Sequence, residues 1–128
     1  MTAPDVTVEF AGHVAIVEIH RPPNNFFDTA LIKGIADAYE RLDDDVECRA
    51  IVLCAEGKHF CAGADFSQPA ADRSSPSQLY VKAIRLFRTR KPVVAAVHGS
   101  AIGGGLGLAL SADFRVAAPS SKFAANFS

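Results

Sequence analysis

The chain has 128 residues, 49% of them apolar, and its 13 basic and 14 acidic side chains leave a formal net charge of -1. That length suits one compact domain with a real core, and charge so evenly spread excludes an electrostatic footprint for nucleic acid or an anionic membrane surface. Cys48, Cys54 and Cys61 form an odd set whose spacing matches neither a redox pair nor a zinc framework, so they read as reduced thiols; with no secretory leader at the N-terminus, the expected location is the cytoplasm.

Residues 6–19, VTVEFAGHVAIVEI, alternate apolar and polar about Ala11-Gly12-His13, which predicts a β-hairpin. In Arg21-Pro22-Pro23-Asn24-Asn25 neither proline has an N–H to give a ladder, so this segment is an irregular connection. Asp28 then offers a capping oxygen to a helix whose Leu31, Ile35, Tyr39 and Leu42 recur every three or four residues, and which ends in Asp43-Asp44-Asp45. CRAIVLCA, residues 48–55, reads as a buried parallel strand, and EGKHFCAGADF follows as a loop. Residues 67–78, rich in Ser, Pro and Ala, read as a surface loop.

Leu79, Ala83, Ile84 and Phe87 predict a second helical stripe, with Lys82, Arg85 and Arg88 on other faces. Pro92 punctuates the return to a strand, PVVAAV, and a turn-like HGS leads to a glycine-rich helix start. The uncharged run 93–112 carries Gly99, Gly103 and Gly107 at G-x-x-x-G spacing, yet its five glycines, one histidine and two serines divide it into shorter pieces, so no membrane span is expected. The order is hairpin, helix, strand, helix, strand, helix, strand. It predicts an α/β fold, with no repeat visible in the sequence.

Two loops pair a buried strand with small residues and a helix start: Phe60 to Phe66, and His98 to Leu106. Small residues let a ligand atom approach the main chain, and free N–H groups at a helix start favour developing negative charge. Two such amides aimed at one carbonyl oxygen would make an oxyanion hole, although either loop alone also suits tight packing or a capped turn. No strand is followed by G-x-G-x-x-G, which argues against a dinucleotide site. His59 and His98 read as hydrogen-bonding loop residues, Asp65 as a cap, Asp113 as half of a structural ion pair, and Cys61 as an unactivated thiol.

Taken together, RPPNNFFD at 21–28, FCAGADF at 60–66 and KPVVAAVHGSAIGGGLGLALSADFRVAAPSSKF at 91–123 resemble the enoyl-CoA hydratase/isomerase (crotonase) family, in its order and across essentially the whole chain. The resemblance implies an α/β spiral of β-β-α turns over residues 1–128, incomplete because the C-terminal helices are missing. It implies an acyl-CoA or enoyl-CoA substrate, coenzyme A being part of that substrate and no separate cofactor or metal being needed. By position, Ala64 and Gly104 match the two oxyanion-hole amides; Pro23, Asn24 and Phe26 match the family's first CoA-lining loop, and Ala62, Asp65 and Phe66 its second. A homo-trimer or hexamer is implied for the full-length protein.

The family's two hydratase glutamates fall at Gly107 and Phe127, which cannot exchange protons, so the ordinary two-glutamate hydration is not encoded here. The expectation is an acyl-CoA enzyme that stabilises a thioester enolate, the 128-residue chain being inactive alone. The alternative is a non-catalytic acyl-CoA-binding relative or an inactive fragment.

Overall fold

The computed structural model describes residues 4–64 and 76–125. Strands β1 (Val6–Ala11) and β2 (Val14–Ile19) form the expected hairpin, with Val6 opposite Ile19 and Ala11 opposite Val14. Gly12 opens the turn at φ 62°, a conformation that matches the twist of the two strands and that glycine adopts freely. Helix α1 (Thr29–Asp43) starts where Asp28, in extended backbone, accepts the Leu31 N–H at 2.9 Å. It ends in the expected acidic turn, at Asp44.

The chain continues through β3 (Ala50–Ala55), α2 (Pro76–Ala83), a 3-10 turn (Ile84–Arg88), β4 (Val93–Val97), β5 (Ser100–Ile102), α3 (Gly104–Ser111), β6 (Phe114–Ala117) and β7 (Lys122–Ala124). The larger sheet has the order β1-β2-β3-β4-β6, parallel from β2 onward. Ala15, Val17, Ile19, Ile51, Leu53, Val93 and Ala95 recur at every second position and join Leu31, Ile32, Ile35 and Tyr39 of α1 in one buried core. Removing each of the Val, Leu and Ile side chains among them from water contributes roughly 1.5–3 kcal/mol. The alternate residues Ile16, Val52 and Val94 are only half-buried, so β3 is less enclosed than its unbroken apolar run predicts.

A smaller sheet pairs β5 with β7, and Cys61 bridges to Ala101 on the other side of β5. The two sheets make the spiral: β3, the Cys61 segment and α2; then β4, β5 and α3; then β6 and β7. In the first turn the 21–28 loop takes the short-strand place between β2 and α1, where the Asn24 carbonyl accepts the Ala62 N–H at 2.9 Å. The repeat lies in the backbone path. FCA, SAI and KFA have no common pattern for a sequence comparison to find.

Several expectations need correcting. Helix α2 begins at Pro76, inside the stretch read as a loop, because a first-turn residue needs no N–H partner; residues 67–75 lie outside the described residues. The stripe through Ile84 and Phe87 fails: they are 52% and 66% exposed, while Leu86 is buried. The chain tightens from α-helix to 3-10 at Ile84, so the inward residues run Leu79, Ala83, Leu86, spaced four and then three. Of the basic residues, Arg85 reaches Asp37 at 2.6 Å and Glu40 at 2.9 Å, tying this segment to α1. Asp113 forms no ion pair among the described residues; its carboxylate accepts the Val93 N–H at 2.9 Å and anchors the start of β4. Finally, the turn-like HGS runs directly into β5, a strand too short to give an alternation signal.

No helix among the described residues is long and apolar enough to cross a membrane, and the uncharged run 93–112 divides into β4, β5 and α3.

Candidate functional site

The site forms where three loops meet, each leading from a strand of the larger sheet toward a helix: 21–28, 56–64 and 98–104. Their main chains are stitched in sequence. Pro23 C=O accepts from Lys58 N–H at 2.9 Å and His59 N–H at 3.1 Å, Asn24 C=O from Ala62 N–H, and Gly63 C=O from Phe27 N–H at 2.8 Å. On the other side Phe60 N–H donates to His98 C=O at 2.9 Å, Cys61 N–H to Ser100 C=O at 3.2 Å, and Ile102 N–H to Cys61 C=O at 3.1 Å.

The charged and polar side chains brace this assembly. Arg21 donates through Nε to Asp5 at 2.8 Å and lies 2.8 Å from Asp28 through Nη1, which also reaches the Phe26 carbonyl at 3.2 Å. Burial opposes its charge, but these two carboxylates outweigh it and hold the guanidinium above its ordinary value. His59 Nδ1 accepts the Ser100 N–H at 3.0 Å, and His98 Nε2 pairs with the Gly57 carbonyl at 2.8 Å, where only an N–H can serve. Both histidines are loop clamps. Cys61 is fully buried, and burial pushes its thiol up to about 11, which leaves it protonated and unsuited to nucleophilic attack.

Asn25, which the sequence reading passed over, is the fully buried polar residue among those described. It sits at φ 51°, in the left-handed region that asparagine tolerates better than most residues. Its Oδ1 accepts the Arg21 N–H at 2.8 Å, and its Nδ2 donates to Glu56 C=O at 2.6 Å and His59 C=O at 2.7 Å. The second of two adjacent asparagines after a Pro-Pro pair was the available signal. Phe27 was missed as well, and nothing in its sequence context distinguishes it from Phe26.

Neither the Ala64 nor the Gly104 N–H donates to another described residue. Each belongs to a peptide whose carbonyl is already engaged: Gly63 C=O by Phe27, and Gly103 C=O by the Gly107 N–H at 3.0 Å. In a planar trans peptide the N–H points opposite to the C=O, so the Ala64 and Gly104 N–H groups face away from those partners. Gly103 holds φ 54° and ψ -117° at the start of α3, and its own N–H is taken by Ala124 C=O at 2.8 Å. A side chain at Gly105 would run into the Cys61 carbonyl oxygen. Bare backbone is therefore required for α3 to approach the 60–64 loop.

Pro23, Asn24, Phe26, Ala62, Ala64 and Gly104 thus belong to one loop cluster, whereas Asp65, Phe66 and Phe127 lie outside the described residues. A Cβ at Gly107 would meet no described residue within 4 Å. An open groove beside Asp5, Val6, Gly34 and Asp37 is a separate feature whose carboxylates are already paired with Arg21, Lys33 and Arg85.

The sequence profile of the enoyl-CoA hydratase/isomerase family matches residues 9–128. Enoyl-CoA hydratase EchA19 of Mycobacterium tuberculosis is 34% identical over 133 residues, covering 95% of this chain and 49% of that protein. The (E)-benzylidenesuccinyl-CoA hydratase of Thauera aromatica is 32% identical over 124 residues, covering 92% and 48%. Among solved structures, enoyl-CoA hydratase subunit I of Geobacillus kaustophilus superimposes with a TM-score of 0.83 at 33% identity, over 94% of this chain and 48% of that one. The chain spans about half the length of the curated relatives it matches.

Proposed function

The chain belongs to the enoyl-CoA hydratase/isomerase family, and from that premise we propose that the protein processes acyl-CoA thioesters through a thioester enolate, with the Ala64 and Gly104 N–H groups polarising the thioester carbonyl. The observation that carries this reading is the pair of amides left unclaimed among the described residues, each oriented through its own peptide's engaged carbonyl. Fixed donors stabilise developing negative charge because they are already oriented when it appears; removing one raises such a barrier by about 3–4 kcal/mol. Pro23, Asn24, Phe26 and Ala62 would line the CoA moiety, joined by Asp65 and Phe66.

The proton-transfer step separates this protein from an ordinary hydratase. Gly107 stands where family resemblance expects a glutamate and has no ionisable side chain, so a carboxylate or other base must come from elsewhere in the protein, or the protein binds acyl-CoA without turning it over. Coenzyme A enters as part of the substrate, and a cytoplasmic homo-trimer or hexamer is the proposed working form. The test is to mix the intact protein with short and medium 2-enoyl-CoAs and follow binding and turnover separately. Turnover is expected. Tight binding without product would replace the enzyme with an acyl-CoA-binding protein, and absence of binding would overturn the proposal altogether.

A further inference from the structure

We propose that Asn25 is a positioning residue for the carbonyl-polarising amide at Ala64, a role that rests on the function proposed above. The side chain has no amide hydrogen left to give a ligand. Its oxygen takes the Arg21 N–H, and its two amide hydrogens go to Glu56 C=O and His59 C=O, so the three partners also settle which terminal atom is nitrogen. Being fully buried, it acts on substrate only through the backbone it holds.

That backbone leads to the amide. Asn25 lies between Asn24, whose carbonyl receives the Ala62 N–H, and Phe27, whose N–H holds Gly63 C=O. Pinning the 21–27 strand of loop to Glu56 and His59 fixes where the Phe27 N–H stands relative to 60–63, hence the plane of the Gly63–Ala64 peptide and the aim of its N–H. A donor displaced by about 1 Å loses most of its effect on a reacting carbonyl, and such misplacement reduces rates by about 100-fold. The left-handed backbone at φ 51° is part of the device, because it turns the side chain inward between the two loops.

Asn25→Gly in the intact protein separates side chain from backbone, since glycine adopts the same φ freely and deletes all three hydrogen bonds. The probe is cinnamoyl-CoA at saturation, read by the shift of its thioester carbonyl stretch on binding. Asn25→Gly is expected to bind the probe yet show less than half the unaltered protein's shift. A full shift in the folded variant overturns the positioning role and leaves the proposed function standing. If the unaltered protein binds the probe with no shift, the proposed function falls and this inference with it. Should Asn25→Gly not fold, amide exchange in the unaltered protein decides: the Phe27, Lys58, His59 and Ala62 N–H groups should exchange as one cooperative unit, and unrelated rates would overturn the proposal.

Discussion

The Phe27 N–H donates to the Gly63 carbonyl at 2.8 Å, and the Phe27 ring lies 2.8 Å from where a side chain on Gly104 would begin. One residue therefore holds the Gly63–Ala64 peptide and bounds the space beside Gly104. Gly104→Ala should displace the ring and cost about 1–3 kcal/mol of stability, while Phe27→Leu in the same protein should recover part of it. The measurement is a double-mutant cycle by denaturant unfolding. Strictly additive effects would show that the two residues are not coupled.

Glycines two positions apart on α3 should respond in opposite directions. Gly105→Ala drives a methyl group into the Cys61 carbonyl, which is backbone and cannot step aside, so a loss of about 2 kcal/mol or more is expected. Gly107→Ala meets no described residue within 4 Å and should stabilise the helix by up to about 1 kcal/mol. Thermal melting of both variants checks the sign of each. Destabilisation by Gly107→Ala would mean that this position is packed.

Much of this was legible in the sequence because local chemistry dictated it. The hairpin follows from alternation about Gly12, α1 from the Asp28 cap and the Leu31, Ile35, Tyr39, Leu42 stripe, and the family from three motifs in order. What escaped depended on distant partners. The 3-10 turn at Ile84 changes the period without a marker residue, Asp113 finds a backbone N–H twenty residues earlier in place of a basic side chain, and Asn25 gains its meaning from Glu56 and His59. The short strands β5 and β7 are defined by partners distant in sequence, β5 lying between β7 and the Cys61 segment.

Acid should loosen the contact between α1 and the segment after α2. The Lys33 and Arg85 hydrogen bonds hold Asp37 below its ordinary 3.8, and Arg85 holds Glu40 below 4.5. A carboxylate with a depressed folded value favours folding above its ordinary value, and loses that contribution as pH falls through the folded one. Stability should thus decline as pH falls below about 4.5 and on through the lowered folded values, and less steeply in Arg85→Met. Equal slopes for the two proteins would remove Arg85 from this account. Because both carboxylates are well exposed, the effect should shrink in high salt.

Tyr39 tests how tightly the core tolerates polarity. Its hydroxyl is buried without a hydrogen-bond partner among the described residues, and burial holds the phenol well above its ordinary range. Tyr39→Phe keeps the ring and removes the desolvated oxygen, so the change should be neutral or stabilising by about 1 kcal/mol. A loss of more than about 1 kcal/mol in urea unfolding would reveal a partner for that hydroxyl.

The central claim is that the Gly104 N–H polarises a thioester carbonyl, and two substitutions at that one position isolate it. Gly104→Ala and Gly104→Pro both place a Cβ against Phe27, but only proline deletes the N–H, at a first helical position where its ring is tolerated. The measurement is the carbonyl stretch of cinnamoyl-CoA bound to the intact protein and to each folded variant. A lowered frequency in the unaltered protein, largely kept by Gly104→Ala and largely lost by Gly104→Pro, is the predicted result. Equal shifts in the alanine and proline variants would contradict the assignment of Gly104 as a donor.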